Sequence, residues 1–86
     1  MEVVFVGPVF YSHKDEDLFF KIIYDLPQYS EIQGKGKELF LTLNEPLEKE
    51  TIVGLLVAFK RWEISAESIQ HLRPVLPNHI IWSHFE

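Results

Sequence analysis

Histidines are the side chains in this sequence best suited to acid–base or metal chemistry near neutral pH. The chain has four of them: His13, His71, His79 and His84. No two have the i, i+4 helical spacing with a flanking carboxylate that favours a zinc site. If residues 80–85 form a strand, His79 and His84 point to opposite faces and cannot share a metal ion. We therefore predict solvated or locally hydrogen-bonded histidines, with no metal and no other cofactor.

Serines and acids are the remaining candidates for catalysis. Ser12 precedes His13 and Ser83 precedes His84, but adjacent side chains diverge, and a nucleophile and its base usually come from separate segments. Ser12 fits better as a helix cap, with the acidic residues 15–17 in the first turn, where the helix dipole favours anions. We predict no catalytic residue and a protein that is not an enzyme.

The stretch GKGK, residues 34–37, resembles a phosphate-binding loop only in its glycines. It lacks the spacing and the closing Lys-Ser/Thr of a P-loop, and it precedes a strand where a P-loop would open a helix. This pattern predicts a hairpin turn.

Length and charge limit the classes of protein to which the chain could belong. We expect one domain over residues 1–86, because 86 residues suffice for only a single small core. Thirteen acidic and eight basic residues give a net charge of −5, which disfavours nucleic acid and favours a basic protein partner. The absence of cysteine excludes disulfides and thiolate metal sites. With no signal-peptide pattern and no apolar run long enough for a membrane span, we expect a cytoplasmic protein without membrane association.

Hydrophobic periodicity predicts the elements that position these residues. Residues 2–10 are mostly apolar and show no apolar–polar alternation, which predicts a strand there that is covered on both faces. Apolar spacing of i, i+3, i+4 and i+7 predicts helices over about 13–26 and from Pro46 to about 62. Two strands around the glycine turn and a last strand near 79–85 complete the pattern, whereas residues 65–72 fit either a short helix or an edge strand.

This order of elements predicts an α+β fold. Its most economical form is a two-layer sandwich, the ferredoxin-like βαββαβ plait, with two helices on one face of an antiparallel sheet and a C-terminal extension strand.

Two segments, VFVGPV from Val4 to Val9 and KGKELFLTL from Lys35 to Leu43, are similar to the two signatures of RNA-recognition motifs in type and order. The resemblance implies the plait topology. Lys37 and Leu39, however, stand where that family places base-stacking aromatics, and the chain is acidic where a phosphate-binding surface is basic. We assign no RNA-contacting residue.

Strand alternation leaves apolar side chains on the sheet face away from the helices. The leucines of residues 38–43 would face the helices, so Phe40 would face outward, joined by either Phe5 or its valine neighbours. An exposed apolar face marks an interface, unless the C-terminal residues fold over it and complete the core. The residues predicted for this partner or dimer face are Phe5, Phe40, Ile80 and Trp82.

A second predicted surface is an acidic rim that would bind the partner. It forms if both helix N-termini point to the same end of the sheet, as we expect in the plait. Its residues are Asp15, Glu16, Asp17, Tyr29, Glu31, Glu45, Glu48 and Glu50.

From these surfaces we predict a non-enzymatic acidic protein-binding domain. In its most concrete form it is a small inhibitor of the immunity-protein or antitoxin type, which occludes a basic partner such as a toxin or nuclease. The alternative is a self-associating module, a homodimer formed through the open sheet face that binds a small regulatory ligand.

Overall fold

The computed structural model describes residues 1–85 of the chain. Its strands are β1 (Glu2–Val6), β2 (Tyr29–Lys35) and β3 (Glu38–Leu43), and its α-helices are α1 (His13–Tyr24) and α2 (Lys49–Arg61). The C-terminal segment, residues 66–85, contains two 3₁₀ helices, Ala66–Val75 and Ile80–Phe85. The predicted α+β class is confirmed, but a fourth strand is absent from residues 1–85.

The sheet has the order β1-β3-β2, and both neighbouring pairs are antiparallel. The predicted turn between β2 and β3 is present, with Lys35 opposite Glu38 and Gly36 at a φ of 61°. A positive φ at the first central residue suits a two-residue hairpin loop with glycine in that position. The prediction that the first strand is covered on both faces is wrong: Val3 and Phe5 are buried on one face, whereas Val6 on the other is 62% exposed. The strand also lies at the edge of the sheet and ends before Pro8.

One face of the sheet and both helices enclose the core. The rings of Phe5 in β1 and Phe59 in α2 lie 4.8 Å apart at their centroids. Each large apolar side chain buried in this way contributes roughly 1.5–3 kcal/mol of transfer free energy. The core residues of these five elements include Val3, Phe5, Phe19, Ile23, Leu41, Leu43, Ile52, Leu55, Leu56 and Phe59.

Side-chain hydrogen bonds hold the backbone near the start of both helices. The Oγ of Ser12 accepts a hydrogen bond from the N–H of Asp15 (3.1 Å), which confirms the predicted cap of α1. Helix α2 starts at Lys49, three residues later than the predicted start at Pro46. The side chain of Gln28 holds the preceding loop, since it accepts from the N–H of Glu48 (2.7 Å) and donates to the carbonyl of Pro46.

The predicted last strand is wrong, since residues 80–85 form a 3₁₀ helix. The Nδ1 of His79 accepts from the N–H of Ile81 (3.1 Å), and the hydroxyl of Ser83 donates to the carbonyl of Ile80 (2.6 Å). Such local bonds offer the backbone an alternative to a sheet ladder. The segment instead packs on α2, where Lys60 donates to the carbonyl of His84 (2.9 Å).

The two helices run in opposite directions. Helix α1 follows β1 and α2 follows β3, and these two strands are antiparallel, so the helices start at opposite ends of the sheet. Accordingly, the first turn of α1 lies beside the end of α2, where Asp15 accepts a hydrogen bond from Trp62.

Candidate functional site

The predicted apolar face does not form. Phe5 faces the helices and is part of the core, whereas Phe40 points to the open face of the sheet. Trp82 is only 4% exposed and donates its indole N–H to the carbonyl of Leu76 (2.7 Å), while Ile80, 74% exposed, lies on the surface of the C-terminal segment. Because β1 turns Phe5 inward and residues 80–85 are not a strand, these four residues share no face.

The predicted acidic rim is also divided, because the helices start at opposite ends. Asp15, Glu16 and Asp17 lie at the start of α1. Tyr29 and the acids of residues 45–50 lie near the start of α2 and the end of α1, where the Tyr29 ring contacts that of Tyr24 at 5.3 Å. Glu31 is on the open sheet face opposite Thr42. The premise that a βαββαβ chain starts both helices at one end was wrong.

One edge of β1 is free, because residues 1–85 contain no fourth strand to pair with it. The N–H of Gly7 donates to the carbonyl of Lys37 (2.9 Å), and that of Leu43 donates to the carbonyl of Met1 (2.8 Å). Alternation along an antiparallel ladder therefore points the backbone groups of Glu2, Val4 and Val6 away from β3. Within residues 1–85 no hydrogen bond reaches these outward groups.

A groove of about 970 Å³ runs beside this edge. It lies between β1 with the loop that follows, the first turns of α1, and the residues that follow α2. Tyr11 (90% exposed) and Val9 (71% exposed) stand at its surface, while Ile64 is buried beneath it. The large exposed apolar side chains that line the groove are Val6, Val9, Tyr11 and Leu18.

Acidic side chains outnumber basic ones along the groove. Among residues 1–85, its carboxylates belong to Asp15, Glu38, Glu63 and Glu67, and its one base is Arg61. A strand edge between apolar side chains and acids has the chemistry to hold an extended segment with apolar and basic residues.

Two contacts shape the wall of the groove. The Nε1 of Trp62 donates to Oδ1 of Asp15 (3.0 Å), and Oδ2 of Asp15 accepts from the N–H of Tyr11 (3.1 Å). Glu63, with a φ of 56°, follows α2 in the left-handed conformation that usually belongs to glycine. The N–H of Ile64 then donates to the carbonyl of Phe59 (2.7 Å), which closes the end of α2 and brings residue 63 to the groove.

The open face of the sheet is mixed in character. Val4 and Phe40 are half-buried there, and Lys35 lies over the Phe40 ring at 5.0 Å. Glu31, Gln33 and other exposed polar residues surround them.

The residues considered for chemistry are dispersed. All four histidines are exposed, and no three His, Asp or Glu side chains of residues 1–85 come together to hold a metal ion. Buried within the described part of the chain, the hydroxyls of Thr51 and Ser68 have no hydrogen-bond partner, and Ser68 lies at the groove.

Sequence reasoning identified Asp15, Phe5 and Trp62 as candidates for contact but missed most of the groove, including Glu63 and the outward backbone of Val4. Pro74 and Pro77 could have indicated the free edge of β1. They lie in the segment that would have to supply a strand beside β1, and proline disfavours such a strand.

Comparisons with protein-family models, with curated proteins and with solved structures found no match to this chain. No helix of residues 1–85 is long and apolar enough to cross a membrane.

Proposed function

We propose that this chain is a non-enzymatic, acidic protein-binding domain that occludes a basic partner, in the manner of a small immunity-type or antitoxin-type inhibitor. The observation that carries the proposal is the groove beside the free edge of β1, where the described residues supply four carboxylates and one guanidinium. The net charge of −5 would attract a basic partner over distance, and the exposed Val9 and Tyr11 would supply apolar contact area.

The fold and the location belong to the same proposal. We interpret the βαββα order as a ferredoxin-like plait in which 3₁₀ helices replace the last strand. The absence of cysteine is compatible with a cytoplasmic site of action, where disulfides are rare.

Self-association through the open sheet face is the second candidate. It is favoured by Val4 and Phe40, which are half-buried on the sheet face away from the core, and opposed by the exposed acids around them. Sedimentation at increasing ionic strength separates the candidates: an inhibitor is monomeric when free, whereas pairing of apolar faces gives a dimer that salt does not dissociate.

An array of short random-sequence peptides tests the main proposal. We expect the labelled protein to select peptides rich in Lys or Arg together with β-branched or aromatic residues. In the double variant Glu63→Lys/Glu67→Lys this selection should be lost, because the groove loses two of its acids and gains two bases.

The matched control is Glu48→Lys/Glu50→Lys, which changes the formal charge equally at the start of α2, away from the groove. Selection that survives in the control and fails in the groove variant supports the proposal. Equal loss in both variants, or no selection of basic peptides by the unmodified protein, overturns it. Circular dichroism establishes that each variant is folded.

A further inference from the structure

The free edge of β1 suggests how the partner would bind. We propose that an extended basic segment of the partner adds to β1 as an antiparallel strand, in the position beside β1 that no strand of residues 1–85 occupies. The inference rests on the proposed function and specifies its binding mode. A strand edge with unpaired backbone groups is a template for an incoming chain.

The hydrogen-bonding capacity of the edge is defined by β1 itself. The outward N–H and C=O groups of Glu2, Val4 and Val6 face the groove side, while those of Val3 and Phe5 pair with β3. Pro8 has no N–H and ends the available edge, so pairing is confined to the five residues of β1.

Natural edge strands are commonly protected by charge, proline or a covering loop. In β1 charge and proline lie only at the two ends, Glu2 and Pro8, and the central Val4 and Val6 are neither charged nor proline. The C-terminal segment approaches β1 without forming a backbone hydrogen bond to it within residues 1–85. The outward backbone groups of Glu2, Val4 and Val6 therefore keep their hydrogen-bonding capacity within the described residues.

Side-chain alternation defines the chemistry of the added strand. Residues opposite Val4 and Val6 would place their side chains on the open face, where Glu38 stands opposite Val6. Residues opposite Val3 and Phe5 would turn their side chains toward the groove, near Leu18 and the buried Ile64. Glu38 thus favours lysine or arginine opposite Val6 on the open face, and the apolar lining favours apolar residues on the groove side. The other groove carboxylates attract the positively charged peptide as a whole.

The peptide Lys-Val-Lys-Val-Lys-Val-Lys is a suitable probe, with its Glu-for-Lys counterpart as the charge control. Two further peptides carry backbone N-methyl groups, one on every lysine and the other on every valine. Titration into ¹⁵N-labelled protein measures the affinities and shows which amides respond.

We expect the unmethylated lysine peptide to bind and to slow hydrogen exchange of the Val4 and Val6 amides. N-methylation of the lysines, whose N–H groups would face β1, should weaken binding about tenfold or more, whereas N-methylation of the valines should have little effect. Weak binding of the glutamate peptide would support the proposal that the groove carboxylates attract the positive charges of the lysine peptide.

Three results would overturn strand addition: equal affinity of the two methylated peptides, no binding of the unmethylated peptide, or tight binding of the glutamate peptide. If the array still shows selective binding of basic peptides at the groove, the proposed function survives with another binding mode. If the Val4 and Val6 amides are protected from hydrogen exchange without peptide, and sedimentation shows dimers, the strand that adds to β1 belongs to a second copy of this chain and not to a basic partner.

Discussion

The indole N–H of Trp62 donates to Oδ1 of Asp15 at 3.0 Å and joins the end of α2 to the first turn of α1. The same indole packs edge-on against the buried ring of Phe19, with centroids 5.2 Å apart. This pair holds one end of the groove, so its loss should affect both stability and binding.

Replacement of Trp62 by phenylalanine tests this contact. The variant keeps an aromatic ring near Phe19 but removes the donor to Asp15, and we expect the free energy of unfolding to fall by about 1–2 kcal/mol. Urea denaturation followed by fluorescence or circular dichroism measures the change. Tyr11→Phe, at a side chain that is 90% exposed, should change stability by less than about 0.5 kcal/mol. A Trp62→Phe protein as stable as the unmodified one would show that the hydrogen bond contributes nothing.

Glu63→Gly should stabilise the protein. Residue 63 has a φ of 56°, which a side chain with a Cβ adopts at a cost and glycine adopts freely. After subtraction of the extra entropy of glycine in the unfolded chain, we expect a gain of about 0.5–1 kcal/mol. Glu63→Ala is the control, because it removes the carboxylate but keeps the strained backbone and should give no gain. A less stable glycine variant would contradict the expected strain.

The two glutamate replacements also bear on binding. Both remove a groove carboxylate, so both should weaken the binding of the lysine peptide, even though we expect only the glycine variant to be more stable.

Trp82→Ala and Ile80→Ala should differ sharply although the residues are two apart. Trp82 is 4% exposed, and the guanidinium of Arg73 lies over its ring at 5.0 Å, whereas Ile80 is 74% exposed. We expect a loss of about 3–5 kcal/mol for Trp82→Ala and less than about 0.5 kcal/mol for Ile80→Ala. Thermal or urea unfolding measures both. Similar small losses would mean that Trp82 is not a core residue.

Hydrogen exchange of the free protein tests the edge of β1 directly. The amides of Val3 and Phe5 pair with β3 and should exchange slowly, whereas those of Val4 and Val6 should exchange rapidly because they face outward without a partner within residues 1–85. Two-dimensional NMR after transfer to D₂O resolves them. Slow exchange at all four positions in a monomer would show that the edge is covered.

Local features were predictable from the sequence to the extent that their causes are local. The cap of α1 follows from Ser12 and the acids beside it, and the hairpin follows from the glycine at position 36. The assignment of Phe5 to an exposed face was wrong because period-two alternation gives two sets of side chains without saying which one meets the helices.

The candidate site depended on relations that no local pattern contains. The acids near residues 15 and 48 look alike in sequence, but the opposite directions of β1 and β3 place them at opposite ends of the molecule. Asp15 meets Trp62, 47 residues away, only because the helices are antiparallel.

The amino-acid sequence by itself determined the α+β class, the net negative charge and the approximate positions of both helices and of β2 and β3, since these follow from composition and from periods of 2 and 3.6 residues. Tertiary structure alone decided that β1 has a free edge. Residues 80–85 pack on α2 as a 3₁₀ helix and do not pair with β1. In this position Trp82 is buried, and local hydrogen bonds satisfy the backbone without a neighbouring strand.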